Sequence, residues 1–326
     1  MKTCSVCGTV NFKENNYCTH CGNKFIIEHV CPFCGNSNID FDDNYCDKCG
    51  SQINPITIDD FDILLSKYNE SLLANAKISD EEYNHLLKDI FIRAKYIDIW
   101  GDSIKNKILN LASVFCECQP KSRGFERGFI FSGNAIFYDE RLSDAVQIAT
   151  IIHELAHHCL FRIIMNLLCF IFKVNPSSTI QSFAWYFLTL PEFKIMNEYC
   201  AHTVEGRFIP YGHQNYGSFN SLVENSNLDD DTLNMMVVLG NSFANEIIVY
   251  LENYIDESLR EEIKIQYRKD LTSPTYDALL TETDECFPLS FKNKLIITLL
   301  YDIFKESSDD KIRIELESIK KLIDGN

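Results

Sequence analysis

At 326 residues, 46% hydrophobic and 24% charged, the chain can form a real core, in one larger domain beside a smaller module. Its formal net charge of −17 argues against non-specific binding to nucleic acid, because the phosphates would repel it. The N-terminus lacks the apolar segment of a secretory signal, and its cysteines cluster as metal thiolates do, so we expect a cytoplasmic protein without a disulfide scaffold.

The first fifty residues contain four Cys-x-x-Cys pairs, each followed by a glycine that permits a tight turn around the ion. The tripeptide Asn-Tyr-Cys at 16–18 recurs at 44–46, which indicates an internal repeat. Each repeat predicts one tetrahedral Cys4 zinc site. The ligands of the first site are Cys4, Cys7, Cys18 and Cys21, and those of the second are Cys31, Cys34, Cys46 and Cys49. With so few apolar side chains here, zinc must supply the folding energy.

This segment resembles the double zinc ribbon modules of many intracellular proteins. It carries four lysines and no arginine against six acidic residues, and each Cys4 zinc site adds a further formal charge of −2. Such a module is a poor ligand for phosphates. We therefore expect residues 1–50 to recruit a protein partner or substrate.

Residues 51–58, which include Asn54-Pro55, are predicted to form a linker. Three helical patterns follow, at 60–75, 79–99 and 102–118, and the second opens with the capping box Ser79-Asp80-Glu81-Glu82. Cys116 and Cys118 fall at the end of the third pattern. Because residues two apart on a helix face different directions, we interpret them as separate buried thiols.

Residues 124–138 alternate aromatic and apolar residues with glycines, which predicts two short strands around a turn at Ser132-Gly133-Asn134. In zinc peptidases a strand lies just before the metal-binding helix, and its edge holds the substrate by strand addition. The order of hairpin and helix in this chain resembles that layout.

A helical run without Pro or Gly, from Ala145 to Val174, contains His153-Glu154-Leu155-Ala156-His157. On a helix, residues i and i+4 share one face, so His153 and His157 can bind one ion. Zinc lowers the pKa of a bound water to about 7. Glu154 is then the candidate general base. The motif therefore predicts a catalytic zinc in a metallopeptidase.

The apolar run after the motif, residues 163–172, is shorter than the roughly twenty residues that a membrane span requires. We expect a buried core helix there. A membrane-associated metallopeptidase stays an alternative.

Two histidines leave a catalytic zinc short of one protein ligand. A later helical pattern, 192–208, supplies Glu198 as the best candidate, with His202 as an alternative ligand and Glu205 as an acid that could orient a ligand histidine. The motif and the downstream Glu198-x-x-Ala201 resemble the gluzincin metallopeptidases, and within them the ImmA/IrrE-type arrangement. That resemblance implies that Glu198 is the third ligand.

Residues 210–217 form a polar, aromatic loop, in which Tyr211, His213 or Tyr216 could donate a hydrogen bond to the transition state. A plain surface turn is the alternative. The last third of the chain, 229–326, has helical patterns at 231–255, 256–269, 290–305 and 309–323.

We thus expect a mainly α-helical protein: a double zinc ribbon (1–50), a linker (51–58), a zincin-like metallopeptidase domain with a short strand pair (59–228), and a helical C-terminal cap (229–326). The expected cofactors are one catalytic and two structural zinc ions, and the expected substrate is a protein or peptide. The alternative is a non-catalytic interaction protein that retains a zincin fold.

Overall fold

The computed structural model describes residues 2–3, 10–11, 46, 48, 57–58, 78–91, 101–120, 135–209, 216–270, 278–306 and 309–324. The chain forms two compact units. One comprises Met1–Pro55 with Lys173–Asn175, and the other comprises Ile56–Phe172 with Pro176–Asn326.

The smaller unit contains two short strands, β1 (Lys2–Thr3) and β2 (Val10–Asn11). They pair antiparallel, with Lys2 opposite Asn11 and Thr3 opposite Val10. Of the eight predicted zinc ligands in this unit, only Cys46 lies among the described residues, and it is buried.

The larger unit is mostly helical, with one pair of short strands. Its elements in chain order are α1 (Asp80–Phe91), α2 (Ile104–Phe115), β3 (Glu117–Pro120), β4 (Ala135–Tyr138), α3 (Asp144–Phe172), α4 (Ser178–Thr189), α5 (Pro191–Phe208), α6 (Gly217–Glu224), α7 (Asp230–Leu251), α8 (Glu257–Asp270), α9 (Leu289–Glu306) and α10 (Asp310–Asp324).

Helix α3 forms the centre of this unit, because 21 of its 29 residues are buried. It packs against α5, which in turn packs closely along α7. Gly240 permits that close packing, since a Cβ atom at this position would lie 2.6 Å from the carbonyl oxygen of Met196 on α5. The three helices form the layer that carries the candidate site.

A buried polar cluster ties α1 and α9 to α7. Lys292 is 1% exposed and donates hydrogen bonds to Tyr83 and Glu246, while the Tyr83 hydroxyl donates to Glu246 at 2.7 Å. Because every member has a partner, the cluster avoids the large penalty of an unpaired buried charge.

Most predicted helices are confirmed to within a few residues. The capping box at the start of α1 forms as expected, since the Ser79 hydroxyl accepts from the Glu82 amide and Glu82 accepts from the Ser79 amide. Helices α4 and α6 were not predicted. The predicted helix at 60–75 and the end of the predicted helix at 79–99 lie outside the described residues.

The strand pair differs from the prediction. Strand β4 lies where a strand was expected, but it pairs in parallel with β3, in the register Cys118 opposite Ile136. The predicted helix at 102–118 is therefore too long, since it ends at Phe115 and Cys116 is extended (φ −154°, ψ 162°). The other predicted strand, before the turn at 132–134, lies outside the described residues.

Two described helices, α3 and α7, are long and apolar enough to cross a membrane by length and composition alone. In α3, 83% of the apolar window is buried inside the protein, and in α7 the figure is 56%. A core helix passes the same test, so this property by itself is weak evidence for a membrane protein.

Candidate metal centre

His153 and His157 lie one helical turn apart on α3, and Glu198 reaches them from α5. The two Nε2 atoms are 3.1 Å apart, and each lies 3.7 Å from Oε2 of Glu198. A tetrahedral zinc with bonds of 2.0–2.2 Å separates its ligand atoms by about 3.4 Å. The three atoms therefore have the spacing of three ligands around one ion.

Each histidine is held through its other nitrogen. Nδ1 of His153 lies 3.1 Å from Oε2 of Glu205, and Nδ1 of His157 lies 2.8 Å from Oδ1 of Asn197. Both partners are acceptors, so both Nδ1 atoms carry the proton and both Nε2 atoms present a lone pair. Two ring nitrogens and a carboxylate oxygen then face one another, as three ligands of one cation would.

Charge within the centre agrees with this geometry. Burial would raise the pKa of Glu198, but the neighbouring His157 and His153 lower it below its usual range. Burial would likewise raise the pKa of Glu205, and the neighbouring His153 and His202 lower it to about 2. Burial alone would lower the pKa of His153, yet the two carboxylates raise it above its usual range. Both acids are therefore ionised at neutral pH.

His202, the alternative ligand, packs its ring against that of His153, with the centroids 4.6 Å apart. With His153 and Glu205 it forms a second trio whose ligand atoms lie within 4.8 Å of one another. Its Nδ1 is 3.4 Å from Glu205 without a well-directed hydrogen bond, and its Nε2 has no hydrogen-bond partner among the described residues. We favour the first trio, because the second would use the nitrogen through which His153 contacts Glu205.

The third histidine of the motif region, His158, lies on a different face of α3. It is 1% exposed and hydrogen-bonds to the backbone of Phe115 at the end of α2. Burial lowers its pKa to about 3. His158 is thus a neutral core residue that joins α3 to α2.

Glu154, the candidate base, follows His153 directly on α3, and it is partly exposed where its neighbours Ile151, Ile152 and Leu155 are fully buried. The position leaves Glu154 accessible to solvent.

Of the three residues predicted to stabilise a transition state, Tyr211 and His213 lie outside the described residues. Tyr216 is buried, and its ring contacts that of His202 at 5.0 Å between centroids. Tyr216 therefore contacts the alternative ligand His202.

Asn197 is the site residue that the sequence analysis missed. An asparagine directly before a candidate ligand matches no motif, and its position opposite His157 depends on the packing of α5 against α3. The need of each ligand histidine for a partner on its second nitrogen was the available signal.

Comparison with known proteins identifies one segment. The double zinc ribbon family model matches residues 4–50. Those residues are a double zinc ribbon. This confirms the predicted module and implies structural zinc binding by its paired cysteines. No curated protein and no solved structure matches the chain. These comparisons give no support to a zincin fold or to the gluzincin and ImmA/IrrE resemblance.

Proposed function

We propose that the chain is a zinc-dependent metallopeptidase that hydrolyses peptide bonds. The observation that carries this proposal is the convergence of His153 Nε2, His157 Nε2 and Glu198 Oε2, with Glu154 next to them on the same helix. Three protein ligands leave the fourth position of a tetrahedral ion open, as a catalytic rather than a structural site requires.

In this proposal His153, His157 and Glu198 would hold the ion, while Glu205 and Asn197 would fix the two imidazole rings. When bound, zinc lowers the pKa of a coordinated water to about 7 and polarises a carbonyl group. Glu154 takes the proton of the attacking water and later delivers it to the departing amine. His202 is neutral, because burial lowers its pKa, and fills the space behind His153.

The substrate class follows from the surroundings of the site. Strand β4 packs against α3, so in this proposal a peptide in extended conformation approaches along the strand pair. The zinc ribbons would recruit a protein partner or the substrate. Their acidic composition disfavours nucleic acid, and a cytoplasmic location remains part of the proposal.

The decisive variant is Glu154→Gln. The amide has nearly the same size and keeps the helix, but it cannot accept the proton, so hydrolysis should fall about a hundred- to ten-thousand-fold. Zinc content should stay unchanged, because Glu154 is not a ligand in this proposal. Since no substrate is known, the measurement compares new protein N-termini in cells that express the wild type or the variant.

New termini that appear only with the wild type would support the peptidase. Identical termini, with equal zinc content in both proteins, would overturn it. The second candidate function is a non-catalytic interaction protein that retains the metal centre, and it is favoured by the match of the ribbons alone to a known family. Capture of the same protein partner by the wild type and by Glu154→Gln would then support this second function.

A further inference from the structure

His202 on α5 has two ring nitrogens without a hydrogen-bond partner in the part of the chain that the structure describes. Its side chain is only 7% exposed. Burial lowers its pKa, so the ring is neutral and one of its nitrogens presents a lone pair. Buried polar groups in folded proteins almost always have a partner, and an ion is one of the partners that an unpaired group can indicate.

A carboxylate and a second imidazole face this ring. Oε2 of Glu205 lies 3.4 Å from Nδ1 of His202 and 3.1 Å from Nδ1 of His153. One ligand atom from each of the three residues lies within 4.8 Å of the other two. Neighbouring ligand atoms around a tetrahedral zinc are about 3.4 Å apart. The trio therefore has the spacing of a metal site with two nitrogen ligands and one oxygen ligand.

This trio and the trio of the candidate centre use different atoms of His153. The candidate centre uses Nε2, which faces His157 and Glu198, and the second trio uses Nδ1. The two sites are therefore not exclusive, because one imidazole ring offers a nitrogen to each. Ions on the two nitrogens would be about 6 Å apart, with metal–nitrogen bonds of about 2.0–2.1 Å.

We propose that His153, His202 and Glu205 form a second, weaker site for a divalent transition-metal ion such as Zn²⁺, with the His153 ring bridging the two ions as an imidazolate. The first ion takes Nε2, the second takes Nδ1, and the Nδ1 proton leaves to solvent. Imidazole and carboxylate ligands suit zinc. Because the second ion must displace a proton, it binds more weakly than the first. This inference rests on the proposed helical metal centre, since the two ions share His153.

The test uses the full-length protein, loaded with zinc and then desalted so that only tightly held ions remain. Zinc is titrated back, and equilibrium dialysis with elemental analysis counts the bound ions. We expect three ions after desalting and a fourth during the titration, with an affinity at least about tenfold below that of the third. Two ions after desalting would contradict the helical centre and this inference with it. Three ions without a fourth would overturn this inference alone.

A variant shows where the fourth ion lies. His202→Gln should keep three ions and bind the fourth at least about a hundredfold more weakly, because it removes a ligand. His85→Gln is the matched control, since His85 is exposed on α1, and it should bind all four. Circular dichroism checks that both variants fold. A fourth ion held equally by the wild type and His202→Gln would lie elsewhere on this acidic protein and would overturn the proposal.

Two measurements on the wild type do not depend on a variant. Co²⁺ added to the desalted protein should give the visible absorption of tetrahedral cobalt with nitrogen and oxygen ligands, without the near-ultraviolet sulfur bands that exchange into the ribbons would produce. Calorimetry in buffers of different ionisation enthalpy should show about one proton released for each fourth zinc ion. Binding of the fourth ion without proton release would overturn the imidazolate bridge, and bound cobalt without the nitrogen–oxygen spectrum would overturn the site.

Discussion

At the scale of single residues, the candidate centre depends on which nitrogen of each imidazole is engaged. Glu205 and Asn197 contact the Nδ1 atoms, which leaves both Nε2 atoms for Glu198 and an ion. His202 lies against His153 but has no such directed contact. Glu198 and His202 should therefore differ sharply in their importance for metal binding.

We expect Glu198→Gln to weaken zinc binding at this site about a hundredfold or more, because it removes an anionic ligand, whereas outer partners typically account for 10–100-fold. His202→Gln should change the affinity by less than about tenfold. Competition with a chromophoric chelator measures the zinc affinity of both variants. An empty site in His202→Gln beside a full one in Glu198→Gln would show that the second trio holds the ion.

Asn197 provides a second test at this scale. Asn197→Ala should weaken zinc binding by about 10–100-fold, because His157 loses the acceptor that fixes its ring. Asn197→Asp should restore most of the affinity, since a carboxylate accepts the same hydrogen bond. Asn245→Ala is the matched control, because Asn245 lies on α7 and hydrogen-bonds to Asn241 and Cys286 instead. Equal affinities for Asn197→Ala and the control would remove Asn197 from the site.

At the scale of elements, the position of Glu198 depends on how α5 packs between α3 and α7. Gly240 allows this packing, because any side chain there would meet the backbone of α5 at Met196, two residues before Glu198. Met196 and Tyr199 are both buried, so α5 has little room to shift without disturbing the site.

Gly240→Ala should lower the free energy of unfolding by about 1–3 kcal/mol, as overpacking does in other cores. It should also weaken zinc binding, because displaced α5 carries Glu198 and Asn197. Asn234→Ala, at an exposed position of the same helix, should change stability by no more than about 0.5 kcal/mol. Chemical denaturation and chelator competition on the two variants give the comparison, and equal stabilities would contradict the predicted helix contact.

At the scale of the whole molecule, the chain forms two compact units, one with the zinc ribbons and one with the proposed helical metal centre. The ribbon unit depends on zinc for its folding, because its sequence offers few apolar side chains. The larger unit has a core built around α3, so we expect it to fold without zinc. Loss of zinc from the ribbons should therefore leave the proposed helical site occupied, and loss of zinc from the helical site should leave the ribbons occupied.

Elemental analysis of the metal-replete protein should find about three zinc ions per chain, two in the ribbons and one at the helical centre. Replacing Cys18 and Cys21 by serine should remove the zinc of the first ribbon and leave the helical site at full occupancy. A total of two or fewer in the wild type would contradict the proposed centre. Loss of all zinc in the double variant would show that the units depend on each other.

Local spacing allowed the sequence alone to determine much of this protein. The Cys-x-x-Cys repeats predicted the double zinc ribbon, since knuckle geometry is set within four residues. The capping box and apolar periodicity predicted α1 and most later helices, and the i, i+4 rule placed His153 and His157 on one face. Each of these features depends on residues within one or two turns of each other.

Only the tertiary structure decided which distant side chains meet. Three contacts join segments that lie 18 to 52 residues apart in the chain. They are the pairing of β3 with β4, the contact of Asn197 with His157 and the contact of Glu205 with His153. Chain spacing carries no information about such contacts, because they follow from how whole helices pack.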